Sequence, residues 1–139
     1  MPGRHFLQIP GPSNVPLRVL RAIERPVINH RGIEFAELAK GLFPKLRTIF
    51  KTQRGTPLIF PSSGTGAWES SLVNTLSPGD RVLAFSIGEF SRGYARVAQN
   101  HGFAVELVEL AWGATIPAQL VQDKLAADPA HASKAVLTI

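Results

Sequence analysis

The spacing of apolar residues along the chain changes near residue 56. Before that point, apolar side chains recur at helical spacing in two stretches, which predicts one helix between Pro16 and Pro26 and a second over 33–50. After it, short apolar runs alternate with amphipathic runs. These predict strands at 57–60, 82–86, 104–110 and 135–139, and helices at 67–76, 91–101 and 117–127. Because strands that alternate with helices form parallel sheets through right-handed crossovers, the pattern predicts an α/β fold.

Two residues lie at predicted helix ends. The side-chain oxygen of Asn14 can cap the first amide groups of the helix that follows it. Gly102 follows the helix at 91–101 and can adopt the left-handed conformation that ends many helices. Both positions are consistent with the elements that the apolar spacing predicts.

Composition and charge exclude several functional classes. The chain has 139 residues, of which 45% are hydrophobic, which suits one core and argues against disorder. It has no Cys and four scattered His residues, so we expect neither disulfides nor a metal site. No apolar stretch reaches the roughly 20 residues of a membrane span, and we expect a soluble cytoplasmic protein without a membrane partner. The net charge of +5 is dispersed among acidic residues, which argues against a nucleic-acid partner.

A segment rich in serine and glycine, Ser62-Ser63-Gly64-Thr65-Gly66, lies between a predicted strand and a predicted helix. Glycines let a ligand approach the backbone closely, and the free amide groups and dipole of a helix N-terminus favour an anion. The hydroxyl groups of Ser63 and Thr65 can donate to phosphate oxygens. No Lys follows the glycine as in a Walker loop, and the third small residue of the dinucleotide fingerprint is absent. The segment predicts a phosphate site, with a tight turn that merely caps the helix as the alternative.

An aromatic residue follows the next predicted strand, in the segment Gly88-Glu89-Phe90-Ser91. Ligands of open parallel sheets bind beyond the carboxyl ends of the strands, so Phe90 could stack on a flat ring there. The alternative is a Phe that packs into the core at the start of a helix. Trp68, in the helix after the phosphate segment, is interpreted as a packing residue.

Five segments of the chain occur in the order seen in class V aminotransferases, which use pyridoxal 5′-phosphate (PLP). They are Pro10–Pro16, His30–Gly32 with Glu34–Phe35, Ser63–Gly66, Leu72–Asn74 with Ser77–Asp80, and Gly88–Phe90. The set most resembles the serine–glyoxylate and alanine–glyoxylate aminotransferases. The resemblance covers essentially the whole chain, but only the early part of that family's fold.

The resemblance implies the three-layer, parallel-sheet large domain of a fold-type I PLP enzyme, incomplete in this chain. It divides the chain into an N-terminal arm with helices, residues 1–55, and the first part of the PLP-binding large domain, residues 56–139. Ser63, Gly64 and Thr65 match the segment that holds the cofactor's phosphate. Phe90 matches the aromatic residue that stacks on the pyridine ring.

Four further residues match segments that lie near the substrate in the family. Gly11 and Pro12 belong to the arm that passes beside the substrate. His30 and Arg31 resemble a pair that related phosphoserine aminotransferases extend toward a substrate anion across the dimer interface, with solvent exposure or a structural salt bridge as the alternative. The resemblance therefore implies a homodimer.

The implied function is the transfer of an amino group from serine or alanine to glyoxylate. Later segments of the family supply an Asp for the pyridine nitrogen, the Schiff-base lysine and an Arg for the substrate carboxylate, and this chain contains none of them. We therefore assign no catalytic residue and expect the 139-residue chain alone to be inactive. Phosphoserine aminotransferase, a ureidoglycine-type transaminase and cysteine desulfurase stay open as enzyme alternatives. A self-standing module that binds a phosphorylated small molecule without catalysis is the alternative from another class.

Overall fold

A computed structural model of the chain describes residues 6–128 and 133–138. Contacts within the chain divide it into two units, with the boundary between Ile59 and Phe60. The second unit carries the sheet. In these described residues, no helix is both long enough and apolar enough to cross a membrane.

The first unit contains two helices, α1 (Leu17–Ile23) and α2 (Ile33–Ile49), and neither of them holds a buried residue. Helix α1 begins after Pro16 without a side-chain cap, so the predicted cap at Asn14 is wrong. Instead, the side-chain oxygen of Asn14 accepts a hydrogen bond of 2.7 Å from the amide of Leu7. This bond joins two residues of the arm before α1. The predicted bounds of α2 are confirmed to within one residue.

The second unit is a parallel sheet with helices, as the sequence predicts. Its elements in chain order are α3 (Gly64–Val73), β1 (Arg81–Ser86), α4 (Glu89–Asn100), β2 (Ala104–Glu109), α5 (Ala118–Ala127) and β3 (Ser133–Thr138). The sheet of the described residues has the order β2-β1-β3, and both pairings are parallel. The predicted α/β class is confirmed.

Strand β1 is the centre of the core. Its residues Val82 to Ser86 are all buried, and α4 packs across the three strands on one face of the sheet. Glu106 alternates along β2 with the two core residues Val105 and Leu107, which places it on the opposite face. There it accepts a 2.8 Å hydrogen bond from Lys124 of α5, so α5 lies over that face and completes three layers.

The predicted strand at 57–60 and the predicted start of α3 are wrong. Residues 57–60 form no strand, and Leu58, Ile59 and Phe60 are more than half exposed. An apolar run becomes a strand only where a neighbouring strand accepts its backbone hydrogen bonds, and none of the described residues does so here. Helix α3 begins at Gly64, not at residue 67, because Ser63 serves as its N-cap.

The end of α3 also comes earlier than the predicted residue 76. The side chain of Asn74 donates to the carbonyl of Ser70 at 2.7 Å, and that of Thr75 donates to the carbonyl of Ser71 at 2.5 Å. Such side-chain bonds to carbonyls of the last turn compete with continuation of the helix.

Gly102 ends α4 in the left-handed conformation, with φ of +80°, as predicted. Its carbonyl also accepts a hydrogen bond of 3.3 Å from the amide of Gly79, which ties the end of α4 to the turn before β1.

We expect Gly102→Ala to lower the free energy of unfolding by about 1 to 2 kcal/mol, because a Cβ is strained at this φ. Gly102→Asn should lose less, since Asn adopts the left-handed region more readily. Chemical denaturation of the three proteins measures both differences. Equal stabilities of the wild type and Gly102→Ala would contradict the assigned conformation.

Candidate functional site

The N-terminus of α3 presents free amide groups in an uncharged setting. Its first turn consists of Gly64, Thr65, Gly66 and Ala67. The amides of Gly64 and Thr65 have no carbonyl to donate to within the helix, as in the first turn of any helix. Ser63 is the N-cap, and its Oγ accepts a long hydrogen bond of 3.4 Å from the amide of Gly66. The hydroxyl proton of Ser63 remains available to donate to an anion.

The side chain of Ser62 lies directly against Gly66. A Cβ built on Gly66 would overlap the Oγ of Ser62 and lie 3.2 Å from its Cβ. The hydroxyl of Ser62 therefore packs over the first turn of α3 because position 66 has no side chain. We name this segment, Ser62 to Gly66, the cradle.

The turn from β1 into α4 is held by one buried hydroxyl. Ser91, 3% exposed, accepts hydrogen bonds from the amides of Ile87 and Gly88 at 2.9 and 3.1 Å, and donates to the carbonyl of Gly88 at 3.0 Å. Its position as the third residue of α4 makes it half of a capping box. This turn determines where the chain places Phe90.

Phe90 lies in the first turn of α4, directly after the carboxyl end of β1. Its side chain is 74% exposed, so the alternative of a core Phe is wrong. Its ring meets the ring of Trp68 edge-on, with centroids 6.2 Å apart and an angle of 74° between the planes. Trp68 is one helical turn after the cradle, so the exposed Phe90 ring belongs to the same part of the unit as the cradle.

Charged groups around the start of α4 are paired with one another. Arg92 donates to Glu109 at 2.9 Å, and Arg96 lies 4.0 Å from Glu89. The acidic Glu89 stands in the first turn of α4, whereas the first turn of α3 carries no charged side chain. An anion is therefore better accommodated at α3 than at α4.

The substrate-proximal candidates lie in the first unit. Gly11 and Pro12 are in the arm before α1, and the peptide bond between them is cis. His30 and Arg31 are exposed in the turn before α2, where the side chain of Asn29 accepts a hydrogen bond of 3.0 Å from the amide of Arg31. The assignment of these four residues to the substrate stays a prediction.

Sequence reasoning missed Ser91 and the contact of Trp68 with Phe90, although Trp68 is a packing residue as predicted. Ser91 follows Phe90 directly, and its spacing from Gly88 is that of a capping box, a signal that the sequence does contain. Trp68 offers no such signal, because its contact with Phe90 joins two helices that are separated along the chain by β1.

Comparisons with known proteins give a consistent set of relatives, although no family model matches the chain. The serine–glyoxylate aminotransferase of Arabidopsis thaliana is 44% identical over 138 residues, which are 99% of this chain and 34% of that protein. The L-aspartate–glyoxylate aminotransferase of Paracoccus denitrificans is 38% identical over 137 residues, or 99% of this chain and 35% of that protein. The crystal structure of alanine–glyoxylate aminotransferase from Nostoc sp. matches with a TM-score of 0.71 and 25% identity, covering 89% of this chain and 35% of that one.

Over nearly its whole length the chain is similar to the N-terminal part of class V aminotransferases. The chain spans about a third of the length of the curated relatives that it matches. The resemblance in the five segments is thereby confirmed, together with the three-layer fold. The roles of individual residues in the cradle and at Phe90 rest on the geometry above and on their match to the family's segments.

We expect Ser91→Ala to lower the free energy of unfolding by about 1 to 3 kcal/mol, because the half-buried amides of Ile87 and Gly88 lose their acceptor. Ser70→Ala is the control, since Ser70 is exposed and its hydroxyl accepts a long contact of 3.4 Å from Asn74. The control should change stability by less than about 0.5 kcal/mol in chemical denaturation. Equal losses in the two variants would remove the assigned role of Ser91.

Proposed function

We propose that the complete protein is a PLP-dependent aminotransferase that transfers an amino group from serine or alanine to glyoxylate. The observation that carries the proposal is an exposed aromatic ring beside an uncharged helix N-terminus, in a chain 44% identical to a serine–glyoxylate aminotransferase. A phosphate and a flat ring are the two parts of PLP that such a site can bind without covalent chemistry.

The cradle fits the phosphate group of the cofactor. The amides of Gly64 and Thr65 point out of the N-terminus of α3, and the helix dipole favours a negative charge there. The hydroxyls of Ser63 and Thr65 add donors. The hydroxyl of Ser62, which lies against Gly66, is a further polar group at this turn.

Phe90 fits the ring of the cofactor. The face of its ring is available to a ligand, because the one ring contact that Phe90 makes among the described residues is the edge-on contact with Trp68. Stacking on Phe90 would orient the ring and cover one side of it from water. When bound, PLP supplies an electron sink for chemistry at the amino acid's α-carbon, and the protein supplies orientation and electrostatics.

The partners of the complete protein are also proposals. We propose amino acid and glyoxylate as substrates, with Gly11, Pro12, His30 and Arg31 near the substrate. We propose a homodimer, because the arm and the His30–Arg31 turn match segments that reach a neighbouring subunit in the family. A cytoplasmic location is proposed from the sequence alone.

The complete protein is expected to consume serine or alanine in proportion to added glyoxylate and to form glycine. Coupled assays of donor loss and glycine formation test this, with aspartate as a third donor because it is the donor in the name of the relative from Paracoccus denitrificans. Glycine formation at the same rate without an amino donor would contradict the proposal, as would donor loss that does not depend on glyoxylate.

The five lysines of the chain give the second test. Lys40 and Lys45 lie in α2, and Lys51 follows it. Lys124 is held by Glu106 on the α5 face of the sheet. Lys134 is the second residue of β3, not a residue before the strand as predicted, and so lies near the amino end, opposite the edge that carries Phe90.

We therefore expect the 139-residue chain alone to be inactive and to give scattered, substoichiometric labelling after incubation with PLP and reduction with borohydride. Mass spectrometry locates the labelled lysines, and the complete protein provides the comparison. Stoichiometric labelling of one lysine, together with glyoxylate-dependent turnover by the 139-residue chain, would show that the catalytic residues lie within it.

Phe90→Ala is expected to weaken PLP binding by the complete protein several-fold, since aromatic stacking contributes on the order of 1 kcal/mol beyond burial. Trp68→Ala should weaken it less, because Trp68 touches Phe90 and does not itself match a cofactor contact. Dissociation constants from absorbance titrations with PLP measure both effects. Equal affinities of the wild type and Phe90→Ala would refute the stacking assignment.

A further inference from the structure

The indole ring of Trp68 packs closely against α4. Its ring is stacked on the ring of Tyr94, with centroids 5.4 Å apart and 21° between the planes. A Cβ on Gly93 would lie 3.3 Å from Cζ3 and 3.6 Å from Cη2 of the indole, so α4 approaches Trp68 closely because position 93 is glycine. The indole is thus held against α4 from two adjacent positions.

Tyr94 is itself fixed by α3. Its hydroxyl forms a short hydrogen bond with the Oγ of Ser71, and Ser71 donates to the carbonyl of Trp68 at 2.7 Å. Two residues of α3 therefore hold Tyr94: Ser71 bonds to its hydroxyl, and Trp68 stacks on its ring. These contacts, together with Leu72 of α3 in the core beside residues of α4, hold α3 against α4.

Phe90 lies on the same face of α4 as these contacts. Residues three and four positions apart on a helix are neighbours, so Phe90, Gly93 and Tyr94 form one surface that faces Trp68. Phe90 is 74% exposed, and its ring makes an edge-on contact with the indole of Trp68. An exposed aromatic side chain without such a contact would sample more than one rotamer.

We propose that Trp68 is a positioning residue that fixes the Phe90 ring relative to the cradle; this inference rests on the proposed function. The phosphate and the pyridine ring of PLP are joined by covalent bonds, so the spacing between the cradle and the stacking ring must match them. The cradle belongs to α3 and Phe90 to α4. Trp68 is a side chain of α3 that contacts Phe90, and it lies two residues after the end of the cradle.

A double-mutant cycle in the complete protein separates positioning from packing. Trp68→Leu and Phe90→Leu are made singly and together, and two properties are measured: the dissociation constant for PLP and the induced circular dichroism of the bound cofactor, which reports the ring's orientation. Trp112→Leu is the matched control, because Trp112 is 65% exposed and follows β2. Trp68→Phe tests rescue by a smaller aromatic ring.

We expect Trp68→Leu to raise the dissociation constant about threefold, which is less than the effect of Phe90→Leu, and to change the induced circular dichroism. In the Phe90→Leu background the same substitution should change the dissociation constant by less than about twofold, because Trp68 acts through Phe90. Trp68→Phe should recover part of the affinity, and Trp112→Leu should bind as the wild type does.

Gly93→Ala provides a second variant if Trp68→Leu does not fold. The added Cβ displaces the indole by a few tenths of an ångström, whereas alanine inside a helix favours folding by up to about 1 kcal/mol. We therefore expect weaker PLP binding and altered induced circular dichroism without a matching loss of stability. This combination is not expected from loss of packing.

The outcomes distinguish the two proposals. A wild-type protein without saturable PLP binding would overturn the proposed function and, with it, the role of Trp68. Saturable binding by the wild type, with equal losses from Trp68→Leu in both backgrounds or with no loss in Trp68→Leu and Gly93→Ala, would overturn the positioning role alone.

Discussion

The parallel pairing of β1 on both of its edges is the constraint on which the second unit depends. A buried strand has to satisfy its amide and carbonyl groups within the protein, and β1 does so with β2 on one side and β3 on the other. Parallel neighbours require crossovers, which bring α4 and α5 onto the two faces of the sheet. The carboxyl end of β1 then leads directly into the turn held by Ser91 and into Phe90.

The proposed cofactor site joins two elements that fold locally for different reasons. The cradle arises from a serine cap and glycines at the start of α3, whereas Phe90 stands at the start of α4 because Ser91 closes the preceding turn. Neither local structure fixes the distance between them. Packing between α3 and α4 relates the two helix starts: Leu72 shares the core with Ala95 and Ala98 of α4, and Trp68 contacts α4 nearer the helix starts.

The apolar spacing of the sequence predicted most of the elements of the second unit, since buried helices and strands each have their own period. It failed at residues 57–60, where the composition suits a strand but no described strand lies alongside. It also placed the start of α3 too late. Gly64 and Gly66 give no apolar signal in the first turn, which the Ser63 cap stabilises. In the first unit, the side chain of Asn14 could cap a helix, but it accepts a hydrogen bond from the amide of Leu7 instead.

The sequence by itself determined the fold class, the cradle and the aromatic residue after β1, because each depends on residues that are close along the chain. It also indicated the similarity to class V aminotransferases, through five segments in a fixed order. Only the tertiary structure decided that Phe90 is exposed and that Trp68 contacts it, since these depend on how two helices pack. The periodicity of apolar residues shows which face of a helix is apolar. Which element packs against that face depends on contacts between elements that are distant in sequence.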